Sequence, residues 1–422
     1  MAVIESVNAW EILDSRGRPT VKASCTLKGG ASAAASVPSG ASTGAAEAHE
    51  LRDGDPKRYR GLGCLKAVAN VVGPIADAVT GRTFADQAAF DHALIALDGS
   101  EQKSHLGANA ILAASIAFAR ASAVERGLPL YQHFADMAGR SLDRLPRLTI
   151  NLFSGGKHAG GQVAIQDVLL VPTADTIDAG LASTWAIYQA AVDRGLSQFQ
   201  MRPLSADEGG LAPPFTSARQ MLEEAVAAMQ AADFTLGDDA CIAVDVASSH
   251  FYRDGRYDID GQTFDAAGMI DLLDAWAADF PIVSIEDGLN EDAWSDWPAL
   301  RQRLAGRCLT LGDDFLCTNP ARIRKAIAAG AADALLLKVN QIGTLTEAGE
   351  SLRLAREAGW RVTISARSGE TEDDWLADLA VGWGGDQIKI GSITQSERLA
   401  KYNRLLEIEA ETGLPVVNWP RA

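Results

Sequence analysis

From residue 148 onward the chain repeats one unit: a short apolar run, a charged or polar residue that closes it, then an amphipathic helix. The runs fall at 167–171, 242–246, 282–285, 309–311, 334–337, 362–364 and 387–390. Runs of that length alternating with helical periodicity read as βα units. Helix starts are marked by Ser217 with Gln220, Thr344 with Glu347, and Asn319 ahead of Pro320. Each offers a side-chain acceptor to orphan N–H groups or a pre-set first helical residue. Gly330, Gly359 and Gly413 supply the stops. Six or more such units favour an α/β fold closed into a TIM-type barrel, and a doubly wound sheet is the alternative that the count leaves open.

The chain before that point follows another pattern. Segments between residues 3 and 37 alternate and are broken at Asp14-Ser15-Arg16-Gly17 and Lys28-Gly29-Gly30, which predicts a meander of antiparallel strands. Helical spacing follows over 65–79, 84–97 and 109–135. A basic linker over 139–147, with Pro146, is the expected boundary between an α+β domain of residues 1–138 and the barrel of 148–422. A chain of 422 residues is long enough for two cores.

What marks this chain among barrels is where its charges fall. One run ends in Asp245, the next in Glu286 and Asp287, the next in Asp313 and Asp314. In a parallel barrel those ends share one rim, so carboxylates from successive strands converge, and hard oxygen ligands of this kind suit magnesium. A single such acid is most simply a helix cap; three consecutive strands ending this way point to a cation site. Two later runs carry Lys338 and Lys389. Burial lowers the pKa of an ammonium, which makes Lys338 a candidate general base, unless either lysine reaches solvent or pairs with an acid. Between them Arg367-Ser368-Gly369 precedes a helix and suits a phosphate, unless Arg367 is paired with Glu370 or Glu372. Glycine-rich stretches at 39–44 and 154–161 are candidate lids, the second carrying His158, and Glu208 sits in an exposed-looking turn. Neither stretch matches a nucleotide-binding loop.

A formal charge of −17 argues against nucleic acid or anionic membranes as partners. Five scattered cysteines read as reduced thiols, in keeping with a cytoplasmic protein. No secretory leader or membrane-spanning run is expected.

Seven motifs, in order, resemble the enolase (phosphopyruvate hydratase) family along nearly the whole chain. They are Asp14-Ser15-Arg16-Gly17, Pro38 to Gly44, Gly107-Ala108-Asn109-Ala110, Asp207-Glu208-Gly209-Gly210, Ser284 to Gly288, Leu337 to Gly343 and Arg367 to Asp373. The resemblance implies an enolase-type modified barrel with an N-terminal capping domain, a homodimer, and two Mg2+ ions per active site. It implies that Asp245, Glu286 and Asp313 hold the first ion and that Ser42 helps hold the second. Lys338 would abstract the proton beside the carboxylate of a small anionic phospho-carboxylate, and Glu208 would protonate the departing hydroxyl, assisted by Asp167. Arg367 and Ser368 would grip the phosphate, Lys389 the carboxylate, and His158 would close over the site. A lysine or histidine base with one or two magnesium ions is a general property of that superfamily.

Four positions depart from the family pattern. Ala366 stands where the family has histidine, Asp167 where it has glutamate, and Ser154 and Ile390 replace the usual polar residues. Three readings follow. The first is a working enolase interconverting 2-phosphoglycerate and phosphoenolpyruvate. The second is a specialised relative acting on a related phospho or phosphono substrate, similar to carboxyphosphonoenolpyruvate synthases. The third is a non-catalytic metal-binding scaffold.

Overall fold

In Pro19–Leu27 the residues Val21, Ala23, Cys25 and Leu27 are buried while Lys22, Ser24 and Thr26 are not, the period of a strand with one face on a core. The computed structural model describes every residue except Met1, Ser42, Thr43, Met201, Pro203, Arg421 and Ala422. Among the described residues β1 (Ala2–Leu13), β2 (Pro19–Leu27), β3 (Ser32–Ser36) and β4 (Thr83–Phe84) form an antiparallel sheet in the order β3-β2-β1-β4. The Asp14 carboxylate accepts from Arg16 N (2.8 Å) and Arg18 N (2.9 Å), which sets the turn between β1 and β2. The helix Ala108–Arg126 lies on β2 and β3. Its buried face is built largely of alanine, so its backbone can approach the sheet closely.

Two helices expected to be continuous are not. The stretch 109–135 is two helices, Ala108–Arg126 and Leu130–Met137, because Gly127 adopts a left-handed φ of 63° and Pro129 follows. The stretch 65–79 passes through a π turn at Val71–Ile75 that holds Pro74, whose missing N–H removes a helical hydrogen bond.

The remaining chain closes into a barrel. Its strands are β5 (Arg147–Ser154), β6 (Asp167–Pro172), β7 (Ala240–Asp245), β11 (Ile282–Glu286), β12 (Leu309–Gly312), β13 (Ala334–Leu337), β14 (Arg361–Ser365) and β15 (Gln387–Gly391), and β15 pairs with β5. That closure excludes the doubly wound sheet. A small antiparallel sheet of β8 (Tyr252–Arg253), β9 (Arg256–Ile259) and β10 (Gln262–Phe264) sits between β7 and β11 in sequence. Strand β5 is absent from the runs read off the sequence, since Thr149 and Asn151 interrupt its apolar residues. Both are buried, and each donates to another side chain, Thr149 Oγ1 to Gln387 Oε1 (2.9 Å) and Asn151 Nδ2 to Glu208 Oε2 (3.1 Å).

Strand β6 runs antiparallel to both its neighbours, and two helices, Ile177–Phe199 and Ala218–Ala231, separate it from β7. Its reversal has a direct consequence for the rim. Asp167, the first residue of β6, lies opposite Ser154 and Asp245, the last residues of β5 and β7. All five cysteines are buried and reduced, and no described helix is long and apolar enough to cross a membrane.

Candidate active site

Asp245 and Glu286 close adjacent parallel strands, in register with one another, and Asp313 follows the end of β12. Lys338 follows β13 and Lys389 lies within β15. All five are buried. The Lys389 ammonium donates to Asp245 Oδ2 (2.9 Å) and to both Glu286 oxygens (2.9 and 2.8 Å), so one positive charge already sits between two strand ends. Lys338 Nζ donates to Asp313 Oδ2 at 2.5 Å. Gln166 Nε2 reaches Asp245 Oδ2 (3.1 Å) and Gln341 Nε2 reaches Asp313 Oδ1 (2.9 Å).

The crowding of these carboxylates shows in their protonation. Burial, then the Asp245 charge, push Glu286 well above the usual carboxylate range. Asp245 is held below it: burial opposes ionisation, but the Lys389 ammonium outweighs that cost. The expected depression of Lys338 is not found. Burial does work against its charge, yet Asp313 and then other carboxylates outweigh burial, and the ammonium is raised above its ordinary value. Lys389 is raised for the same reason, with Asp245 and Glu286 as its partners.

Two groups of three described residues bring ligand atoms within 4.8 Å of one another: His158, Asp167 and Glu208, and Asp287, Asp313 and Asp314. The trio Asp245, Glu286 and Asp313 is not among them, since lysines lie between its members. In the second group Asp287 is already committed, because its two oxygens accept the backbone N–H groups of Asp313 and Asp314 at 2.8 Å each. Asp245, Glu286 and Asp313 offer only carboxylate oxygen, the donor type that a hard divalent cation takes, and each is bridged here by a lysine ammonium.

Across the rim lies a second cluster. Asp167 accepts from Ser154 Oγ (2.5 Å) through one oxygen and meets His158 Nδ1 (2.8 Å) through the other. The far nitrogen of His158 faces Ser368 Oγ (3.2 Å) and Glu208 Oε1 (3.5 Å). Burial disfavours the His158 cation, but Asp167 and then Glu208 outweigh burial and raise its pKa to about 9. Glu208 falls to about 2, where burial is overcome by His158 and Arg398. The cluster therefore holds its proton on His158 near neutral pH, and Glu208 is ionised. Ala366 lines the same cleft as His158, Glu208 and Lys338, with its methyl group where an imidazole was expected.

The loop after β14 is pinned from behind by Arg398, fully buried, which donates to the carbonyls of Arg367 (2.7 Å), Ile390 (3.0 Å) and Ser368 (2.5 Å). From the capping domain, Ser39 and Gly369 exchange backbone hydrogen bonds of 2.8 and 2.9 Å. A Cβ at 369 would lie 2.2 Å from Asp14 Oδ2 and 2.3 Å from Arg16 Nη2, so any larger residue there must displace that ion pair.

This rim, with a reversed second strand, carboxylates on the third to fifth strands, lysines on the sixth and eighth, and a cap docked on its glycine loop, is matched by two family models. The model for the enolase N-terminal domain covers residues 4–134, and the model for the enolase C-terminal TIM barrel domain covers residues 143–418. The chain belongs to the enolase family.

Among the residues expected to act in an enolase, Asp245, Glu286, Asp313, Lys338, Lys389, His158, Asp167, Glu208, Arg367 and Ser368 all line or border one cleft. Ser42 lies outside the described residues. Sequence reading did not single out Glu47, Gln166, Gln341 or Arg398, each of which holds one of those groups. Gln341 and Arg398 were legible only as polar residues at positions that the barrel buries.

Proposed function

We propose that this enolase-superfamily lyase interconverts 2-phosphoglycerate and phosphoenolpyruvate by proton abstraction beside a carboxylate and loss of water. The observation that carries this reading is Lys338 and the His158–Glu208 pair on opposite sides of a cleft whose floor is crowded carboxylate. Removal of a weakly acidic proton beside a carboxylate concentrates negative charge, so it needs cations fixed in advance. Bound magnesium, two ions per site, would supply that charge and polarise the substrate carboxylate. Asp245, Glu286 and Asp313 would hold the first ion, and Ser42 the second together with the phosphate.

In this reading Lys338 takes the proton once Asp313 is engaged elsewhere, and Lys389, freed of Asp245 and Glu286, pairs with the substrate carboxylate. Arg367 and Ser368 bind the phosphate. The departing hydroxyl leaves towards Glu208, with the proton drawn from His158 at 3.5 Å. Asp167 and Ser154 keep the imidazole in line. Exposed Trp10, Leu13 and Trp185 are consistent with a homodimer, and five free cysteines are consistent with a cytoplasmic reaction.

A second reading is favoured by one observation: the departures Ser154, Asp167 and Ala366 all lie on the leaving-group side, while the carboxylates and both lysines are unchanged. A relative that forms the same enolate and transfers it to a related phospho or phosphono partner would keep the one set and alter the other.

Formation of phosphoenolpyruvate from 2-phosphoglycerate with excess magnesium, followed by ultraviolet absorbance, separates the readings. Turnover lost in Lys338→Ala supports the first. No wild-type turnover, with turnover appearing in Ala366→His, supports the second. Absence of magnesium binding by calorimetry in the folded protein overturns both.

A further inference from the structure

We propose that Glu47, contributed by the capping domain, is a positioning residue that sets the Arg367 guanidinium and, through Gln341, the Asp313 carboxylate beside Lys338. The inference rests on the reading above for what those groups do, and on geometry for how they are held.

Arg367 was expected to pair, if at all, with Glu370 or Glu372. It does not. Glu370 is used elsewhere, accepting the Arg367 backbone N–H (3.1 Å) through one oxygen and facing Lys401 Nζ (3.1 Å) with the other. Instead Glu47 Oε2 accepts from Arg367 Nη1 (3.1 Å) and Glu47 Oε1 from Nη2 (3.2 Å), a two-pronged pair whose side chains are 8% and 3% exposed. Asn340 Oδ1 holds Nη1 from a third direction at 2.9 Å. A planar fork gripped at both prongs has a fixed plane, which a single contact would not give.

The same carboxylate reaches the base side. Gln341 Nε2 lies 3.4 Å from Glu47 Oε1 and 2.9 Å from Asp313 Oδ1. Its amide orientation is set because Gln341 Oε1 accepts from Thr318 Oγ1 (2.8 Å), which in turn accepts the Lys338 backbone N–H (2.9 Å). Glu47 is itself anchored, since Gly44 N donates to its Oε1 (3.0 Å) and Ala48 N donates to Gln341 O (2.7 Å). A continuous chain thus runs Arg367–Glu47–Gln341–Asp313–Lys338. Displacements of about 1 Å in such groups cost on the order of 10²-fold in rate.

The test compares wild type with Glu47→Ala, Glu47→Asp and Gln341→Leu. The first readout needs no substrate: phenylglyoxal labelling of individual arginines, followed by peptide mass spectrometry. Arg367 should react at least about tenfold faster in Glu47→Ala than in wild type, with Arg398 unchanged as the internal control. Equal rates at Arg367 overturn the proposal. In turnover of 2-phosphoglycerate, Glu47→Ala should raise KM and lower kcat, Glu47→Asp should recover part of both, and Gln341→Leu should lower kcat with KM within about twofold. Kinetics of Glu47→Ala within twofold of wild type also overturn it. A wild type with no turnover, but with the labelling difference intact, sinks the proposed reaction and leaves the positioning role standing.

Discussion

The Lys338 ammonium lies 2.5 Å from Asp313 Oδ2, so the residue proposed as the base is paired with a residue proposed to hold metal. The two assignments are linked: whatever cation engages Asp313 weakens the contact that keeps Lys338 protonated. Lys338→Ala should therefore lower hydrogen–deuterium exchange at the substrate carbon beside the carboxylate by at least about 10²-fold, the usual size of a general-base contribution. Proton NMR of 2-phosphoglycerate in D2O with magnesium checks this. Unchanged exchange would refute the base assignment.

Magnesium should raise the midpoint of thermal unfolding, because the proposed site is assembled only in the folded rim and is absent from the unfolded chain. At a hundredfold excess over its Kd the gain is about 2.7 kcal/mol. Asp245→Asn removes half of one proposed ligand and should reduce the magnesium-dependent shift. A shift of the same size in the variant would remove Asp245 from the metal site.

His158 owes its raised pKa, about 9, chiefly to Asp167 and Glu208 acting against burial. Since the folded value lies above the unfolded one, the stabilisation from this residue is full below about pH 6.5 and is lost as pH rises through 9. Asp167→Asn should bring the imidazole down by more than a unit, read from its carbon-bound protons by NMR. A His158 that still titrates near 9 in the variant would mean that Asp167 does not govern it.

His133 gives the opposite sign. Burial, then Arg126, depress it from about 6.5 to about 4, so it enters the fold neutral. Its stabilisation is full above pH 6.5 and falls as pH drops towards 4, by up to about 3 kcal/mol if the whole shift is realised. In urea titrations at pH 7 and pH 4.5, His133→Gln should lose less stability on acidification than wild type. Equal losses would contradict the assignment.

Gly369→Ala tests the docking of the cap. The added methyl meets the Asp14–Arg16 pair, and overpacking of that kind costs about 1–3 kcal/mol. The variant should unfold at a lower urea concentration and lose phosphate affinity together, because Ser368 and Arg367 flank the displaced residue. Wild-type stability would show that the contact is slack.

Much of the architecture was legible because parallel strands buried on both faces read as apolar runs, and their helices start and stop at recognisable caps such as Thr344 and Gly330. Strand β5 escaped because Thr149 and Asn151 are buried polar residues that donate to Gln387 and Glu208, and only the folded neighbours reveal those partners. The rim acids were visible as strand endings. Their partners were not: Glu47 meets Arg367 across 320 residues of chain, and no local pattern announces such a pair. Pairing of Lys338 with an acid was one of the alternatives that the sequence left open, and the structure selects it; that the partner is Asp313, with a charge that outweighs burial, cannot be read from an apolar strand.

The reversal of β6 divides the rim into two parts with different histories open to them. Ser154, His158 and Asp167 belong to one hairpin, whereas the carboxylates and lysines lie on, or directly follow, five other strands. On the proposed reading, mutations in that one short stretch of gene would alter part of the side that handles a departing group, with Glu208 and Ala366 supplied from other loops, and would leave the carboxylates and lysines untouched. A scaffold partitioned in this way lends itself to acquiring new reactions from an old intermediate.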